Sequence, residues 1–298
     1  MKKTIVICGA TATGKTEHAV VLGKYFDTAV ISADSQLIYK GLNIGTAKPT
    51  LAEMENIQHY MIDIIEPNLS FSVAEYTTMA EPIIANIEAQ EKPPILCGGT
   101  GFYIQSLLFK RSLGTVGRDN QFRKYYQELA KLKGNTYLFE ELKKVDVQTA
   151  EKLHVNDVNR VIRALEIYAL TGKKKSEQVE GFSPKREYIA IAFDYDRDTL
   201  YTKINQRVRN MLKLGWIDEV QQLLKQGVMP DMQSMQAIGY KEVISYLSNC
   251  IGYNEMLELI QRKTRNYAKR QITFFKKFPN LTWISPNTNI VKKVKELL

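Results

Sequence analysis

Residues Gly9-Ala10-Thr11-Ala12-Thr13-Gly14-Lys15-Thr16 follow directly on the apolar run Thr4–Cys8, and they constrain this chain more than any other feature. The spacing G-x-x-x-x-G-K-[ST], set between a strand and a helix, is that of a phosphate-binding loop. Each fixed residue has a physical reason. The glycines let backbone N–H groups curl around phosphate oxygens, and Lys15 brings a point charge to the outer phosphate. Thr16 offers a hydroxyl to a hard cation such as Mg²⁺, which makes it the candidate metal ligand. The stretch from Thr16 to Tyr25 reads as a helix, whose positive N-terminal end faces the same anion. The loop specifies a phosphorylated ligand. It does not specify phosphoryl transfer.

Around that loop the chain alternates short apolar runs with helical stretches. Thr4–Cys8, Ala29–Ile31 and Pro94–Cys97 read as strands, the last after a helix over Phe71–Gln90. Continuous apolar strands separated by helices are the pattern of a parallel sheet buried on both faces. The predicted fold class is therefore α/β: a P-loop NTPase-like parallel sheet covered by helices. From Ser112 to Arg186 the chain is rich in helix formers and charge, lacks convincing strands, and ends in the polar run Gly172–Lys185. That segment, 112–186, is predicted to be an α-helical insertion within a core made of 1–111 and 187–298. Tyr188–Phe193 returns to the sheet, and amphipathic helices are expected over Asp198–Leu214, Ile217–Gln226 and Tyr253–Phe278.

Composition narrows the setting. At 298 residues and 44% hydrophobic content the chain can build a full core without disulfides or a structural metal. Its three cysteines are far apart, and Cys8 and Cys97 fall inside apolar runs, so reduced, buried thiols and a cytoplasmic setting are expected. Lys2-Lys3 precedes too short an apolar run for a signal peptide, and nothing approaches the ~20 apolar residues of a membrane span. His18, His59 and His154 lack metal-ligand spacing. Trp216 and Trp283 sit in apolar or helical surroundings and read as packing residues.

The net charge of +9 is unevenly placed. Residues 110–186 hold 17 Lys/Arg against 10 Asp/Glu, and residues 259–298 hold 10 against 1. A basic middle and a basic C-terminus suggest either a footprint for a polyanion or two solvated helix faces.

In a parallel sheet, ligands bind beyond the carboxyl ends of the strands. Three segments occupy such positions: the phosphate loop, Asp34-Ser35-Gln36, and Gly98-Gly99-Thr100-Gly101. Topology therefore gathers Lys15, Thr16, Asp34 and Thr100 along one edge. A P-loop kinase for a nucleotide or small metabolite is the obvious first reading. The apolar strand at Ile95 lacks the terminal acid such kinases often use to hold Mg²⁺, and the long basic insertion is not needed for a small substrate.

The words around these residues are more specific. The run Ile31-Ser32-Ala33-Asp34-Ser35-Gln36-Leu37-Ile38-Tyr39-Lys40-Gly41-Leu42-Asn43-Ile44-Gly45-Thr46-Ala47-Lys48-Pro49 resembles the signature of the tRNA dimethylallyltransferases, or tRNA isopentenyltransferases. So do Gly98–Tyr103, Asn156-Asp157 through Arg160, Arg163–Glu166, Gln236–Lys241 and Ala268–Phe275. The resemblance runs in order over about residues 5–285. Ala10 and Thr13 stand where Pro and Ser are usual, and Asn43 where Asp is common; no glycine, lysine or terminal hydroxyl of the loop is lost.

The resemblance implies transfer of a dimethylallyl group from dimethylallyl diphosphate to N6 of adenine 37, beside the anticodon of a tRNA. Asp34 matches the family's general base, Thr100 a threonine near the reacting centre, and Arg207 a diphosphate-binding arginine. With Lys15 these form the implied catalytic set. Gly9, Ala10, Thr11, Ala12, Thr13, Gly14, Lys15 and Thr16 would cradle the diphosphate, with Mg²⁺ at Thr16. By family position Ser35, Gln36, Leu37 and Thr100 would meet the acceptor nucleotide. Arg123, the segment Asn159, Arg160, Val161, Ile162 and Arg163, and Gln236, Ala237, Ile238, Gly239, Tyr240 and Lys241 would contact the tRNA anticodon stem-loop. A monomer without a membrane partner is expected. Two further rivals stay open at this point: prenylation of free adenosine nucleotides, and nucleotide-dependent RNA binding without catalysis.

Overall fold

A computed structural model describes residues 3–110, 119–178 and 181–298. In chain order the elements are β1 (Thr4–Cys8), α1 (Lys15–Phe26), β2 (Val30–Ser32), α2 (Leu51–Met54), β3 (His59–Tyr60), α3 (Val73–Ala89), β4 (Ile95–Gly98) and α4 (Gly101–Leu108). Four helices follow: α5 (Asn120–Lys133), α6 (Asn135–Val145), α7 (Val147–Glu151) and α8 (Val158–Thr171). Then come β5 (Tyr188–Phe193), α9 (Arg197–Lys213), α10 (Trp216–Lys225), α11 (Tyr240–Leu247), α12 (Tyr253–Phe275), β6 (Leu281–Ile284) and α13 (Ile290–Leu297).

Among the described residues the strands form one sheet in the order β3-β2-β4-β1-β5-β6, every pair parallel. β1 is central, with Ile5 opposite Ile95 on one side and Ile189 on the other. Its Val6 and Cys8 enter the apolar cluster on one face, and Ile5 and Ile7 the cluster on the other. Both faces are covered, which is why the strand reads as apolar without alternation. Cys8 and Cys97 are buried and unpaired thiols.

Element ends follow local chemistry. α3 begins at Val73 because Ser72 caps it: its hydroxyl accepts the Glu75 N–H, and the Glu75 carboxylate accepts the Ser72 N–H at 2.8 Å. α12 stops at Phe275, before Phe278, since Pro279 disfavours helix at the residue preceding it. Two edge strands, β3 and β6, and helix α13 have no counterpart in the sequence reading. β3 is two residues long, and β6 is only half-buried on most of its length, so neither carries a distinct hydrophobic period.

The chain divides into two compact units, Met1–Phe109 with Phe182–Leu298, and Lys110–Gly181. The described part of the second unit, α5 to α8, is helical around Leu138, Leu142, Val161, Ile162 and Ala164. The start expected at Ser112 lies outside the described residues. The far boundary falls five residues earlier than the expected 186, because residues 182–186 pack with the sheet unit. Phe182 meets Phe109 edge-on, Phe109 bridges Pro184, and Arg186 pairs with Glu81.

Candidate active site

Since β4 lies between β2 and β1, the loops leaving their carboxyl ends emerge side by side. The Asp34 loop, the Thr100 loop and the phosphate loop are thus neighbours in space though far apart in sequence. The Thr100 N–H donates to the Ala33 carbonyl at 3.0 Å, and the Ser35 N–H donates to the Thr100 hydroxyl at 3.0 Å. Asp34 Oδ1 accepts the Gln36 N–H at 2.9 Å, which fixes the local turn. These loops approach so closely that a Cβ at Gly98 would lie 2.2 Å from the Ala33 carbonyl oxygen. That contact is with backbone, so only glycine fits.

The phosphate loop turns through left-handed conformations at Ala12 (φ 64°) and Gly14 (φ 78°). Gly14 ends it, at the start of α1. The Thr13 hydroxyl and the Lys15 ammonium both donate to the Ala10 carbonyl, at 2.9 and 2.5 Å. Burial pulls the Lys15 amine below the usual lysine range, and Arg207 lowers it further, while Asp34 is among the groups that oppose this. Arg207, from α9, is likewise lowered by burial and held up by Asp34. Two cations and one carboxylate therefore share one electrostatic site.

Asp34 and Arg207, with Thr11 and Ala12 of the phosphate loop, border a cavity of about 310 Å³. Its polar side carries Thr11, Asp34, Ser35, Gln36, Arg207 and Tyr267, and its apolar side Ile204, Val208, Met211, Trp216, Ala237 and Ile238. An anion-binding loop, a carboxylate and an apolar wall around one space suit a substrate with a phosphorylated end and a hydrocarbon end.

Of the residues the sequence singled out, Thr11, Ala12, Asp34, Ser35, Gln36, Arg207, Gln236, Ala237 and Ile238 line this cavity. Thr100 adjoins it through Ser35. Four of the expected RNA contacts are buried, Gly239 among them against the Trp216 ring. Val161 and Ile162 are 1% and 2% exposed in the core of the helical unit, and Tyr240 is fully buried with its hydroxyl on Glu219 at 2.7 Å. Burial removes those side chains from contact with an RNA. Asn159, Arg160 and Lys241 are exposed. Arg123 and Arg163 are both committed to the buried Glu166 carboxylate, at 2.7 and 2.5 Å.

Several residues of the site escaped the sequence reading. Glu219 accepts the Asn43, Ile44 and Gly45 N–H groups at 2.8, 2.6 and 3.1 Å, and so fixes the segment that carries Gly45 and Thr46 into the cavity wall. Tyr267, on α12, lines the cavity. Burial, then the Asp34 charge, pushes its phenol well above the usual range, so it remains a donor. The signal that could have found it is helical spacing: Thr264, Tyr267 and Gln271 share one face of α12.

A parallel sheet with a phosphate loop after its central strand, flanked by a carboxylate and an arginine, is the arrangement of an enzyme of the P-loop NTPase-like class. A family model described as "IPP transferase" matches residues 37–278. A tRNA dimethylallyltransferase from Caldanaerobacter subterraneus subsp. tengcongensis is 46% identical over 284 residues, 94% of this chain and 90% of that protein. The crystal structure of a full-length tRNA isopentenylpyrophosphate transferase from Bacillus halodurans is 38% identical, with TM-score 0.73, covering 100% of this chain and 94% of that one. A eukaryotic dimethylallyltransferase acting on tRNA gives TM-score 0.81 at 28% identity, covering 99% of this chain and 78% of that one. The chain belongs to the IPP transferase family.

Proposed function

We propose that this protein transfers the dimethylallyl group of dimethylallyl diphosphate to N6 of adenine 37 in tRNA, giving N6-isopentenyladenosine. The observation that carries the reading is the single cavity bordered by the phosphate loop, Asp34, Arg207 and an apolar wall. An exocyclic adenine amine is a weak nucleophile, because its lone pair is delocalised into the ring. As N6 attacks the allylic carbon, Asp34 takes its proton, and the C–O bond breaks with its electron pair leaving on the diphosphate. Lys15, Arg207 and the loop amides neutralise the charge that develops there. Thr100, tied to the Asp34 loop through Ser35, holds the acceptor beside the carboxylate.

Among the described residues no group of three or more His, Cys, Asp or Glu could hold a metal ion by itself. A Mg²⁺ site completed by substrate fits that donor set. Thr16 would supply one hydroxyl, with diphosphate oxygens and water supplying the rest. The ion when bound neutralises diphosphate charge.

Adenine in a hairpin loop can be extruded at modest cost. Ser35 and Gln36 border the cavity it would enter. Exposed Asn159, Arg160, Lys241, Lys269 and Arg270 supply surface groups for the anticodon stem-loop. Among the described residues no helix is long and apolar enough to cross a membrane. We place the enzyme in the cytoplasm with its RNA substrate, acting as a monomer.

The test is incubation with Mg²⁺, labelled dimethylallyl diphosphate and an unmodified anticodon stem-loop, read by mass, with Asp34→Ala alongside. A dimethylallyl gain on adenine 37 that collapses in the variant supports the reading. Unmodified RNA with consumption of ATP or free AMP would replace it by a kinase or a nucleotide prenyltransferase.

A further inference from the structure

Gln271 is a polar side chain on the apolar face of α12, only 5% exposed, with Ala268 and Phe275 buried one turn to either side. Both ends of its amide are engaged. Oε1 accepts the N–H of Thr11 in the phosphate loop at 2.9 Å, and Nε2 donates to the carbonyl of Gly99 at 3.0 Å. The two loops it joins leave different strands, β1 and β4. One carries the phosphate-binding backbone and the other carries Thr100, which in turn is bonded to the Asp34 loop. A Cβ at Gly99 would lie 2.2 Å from Gln271 Nε2, so the glycine is what lets the amide seat. The Thr11 N–H is spent on this contact, so this amide serves to fix the loop and the ligand falls to its other groups.

We infer that Gln271 is a positioning residue for the transfer reaction: from α12 it holds the phosphate loop and the Thr100 loop in register, so that the allylic carbon of the bound diphosphate lies in line with the acceptor nitrogen. This rests on the reaction proposed above. The chemical logic is that leaving group and base sit on separate loops, and their relative placement matters more in the transition state than in ground-state binding. The same helix exposes Arg262 and Lys269 and brings Arg270 to the cavity wall, so an element offered to RNA is mechanically tied to the loops that do the chemistry.

Two variants approach the contact from opposite sides. Gln271→Ala removes the amide. Gly99→Ala evicts it while leaving α12 intact, at a glycine whose φ is not in the left-handed region. Single-turnover transfer would be measured with full-length protein saturated in dimethylallyl diphosphate and stem-loop RNA. Pyrophosphate affinity would be taken by calorimetry, and hydrogen exchange followed in the peptide spanning the phosphate loop. The expected result is a rate loss of about 10- to 100-fold in each variant, with pyrophosphate affinity changed no more than about threefold. Exchange in the loop should be faster in both. The double variant should lose no more than the worse single one, because both act through one contact.

Rates within about threefold of wild type in both variants would overturn the inference, as would losses that multiply in the double variant. A fall in pyrophosphate affinity as large as the fall in rate would also overturn it, making Gln271 part of the binding site. If the wild type forms no product, the reaction reading fails on its own. Loop exchange then decides the strut: acceleration in both variants supports it, and unchanged exchange removes it.

Discussion

At the residue scale, the proposed reaction rests on three charges that act on one another, and their environments set how they respond to pH and substitution. The Lys15 amine is drawn down mainly by burial and also by Arg207. Its positive form exists below its pKa, so pyrophosphate affinity should fall as pH rises through a value lower than that of a free lysine. Calorimetric titrations across an alkaline series, with Lys15→Arg alongside, would show the limb move upward in the variant. Asp34→Asn keeps the size and the turn-forming oxygen but removes the base. Single-turnover transfer should drop by about 10²- to 10⁴-fold while pyrophosphate binds as well as before or more tightly. A parallel loss of binding would instead make Asp34 a binding residue.

At the scale of elements, carboxylates outside the cavity lining fix the segments around them. Glu219 on α10 gathers three backbone N–H groups of residues 43–45 and the Tyr240 hydroxyl into one carboxylate. Glu166 on α8 does the corresponding work among the helices α5 to α8. Its burial favours the neutral form, but Arg123, Arg163 and the Asp119 N–H outweigh this and hold the carboxyl down to about 2. A carboxyl depressed in the folded state contributes stability that is present above its unfolded pKa, near 4.5, and lost as pH falls through about 2. Glu166→Ala should destabilise the protein by about 3–5 kcal/mol at neutral pH, since it removes the buried carboxylate on which two half-buried arginines converge. It should also flatten the acid limb of stability between those values; chemical unfolding at a series of pH values would measure both. Arg163→Ala would for the same reason cost stability, so a loss of RNA affinity in that variant has to be separated from unfolding.

At the scale of the molecule, the helical unit leaves and rejoins the sheet unit at adjacent points. Phe109 bridges Pro184, and the Lys185 N–H donates to the Leu108 carbonyl at 2.9 Å. Replacing residues 110–181 by a short glycine-serine linker should therefore leave a folded core that still binds pyrophosphate. The same chain should lose most of its RNA affinity, and the slope of log K against log salt should shrink with the basic residues removed. Fluorescence anisotropy with labelled stem-loop over a salt series would read this. An unchanged slope would place the RNA footprint wholly on the sheet unit.

The sequence by itself determined the phosphate loop and the principal parallel strands, because these are set by local chemistry; Asp34, Thr100 and Arg207 were singled out by the resemblance to a family. A loop that must wrap an anion needs its glycines and lysine at fixed spacing, and a strand buried on both faces must be apolar throughout. The short edge strands β3 and β6 were not legible, since two to four mostly half-buried residues carry no distinct period. Only the tertiary structure decided that β4 sits between β1 and β2, and hence that three distant loops become neighbours. It alone showed that Val161, Ile162 and Tyr240 are core residues and that Arg123 and Arg163 converge on Glu166. It likewise brought Gln271, some 170 residues beyond Gly99, to close the gap between two loops. Such contacts depend on strand order and helix docking, which are settled by the packing of the whole chain and leave no periodic trace in any one segment.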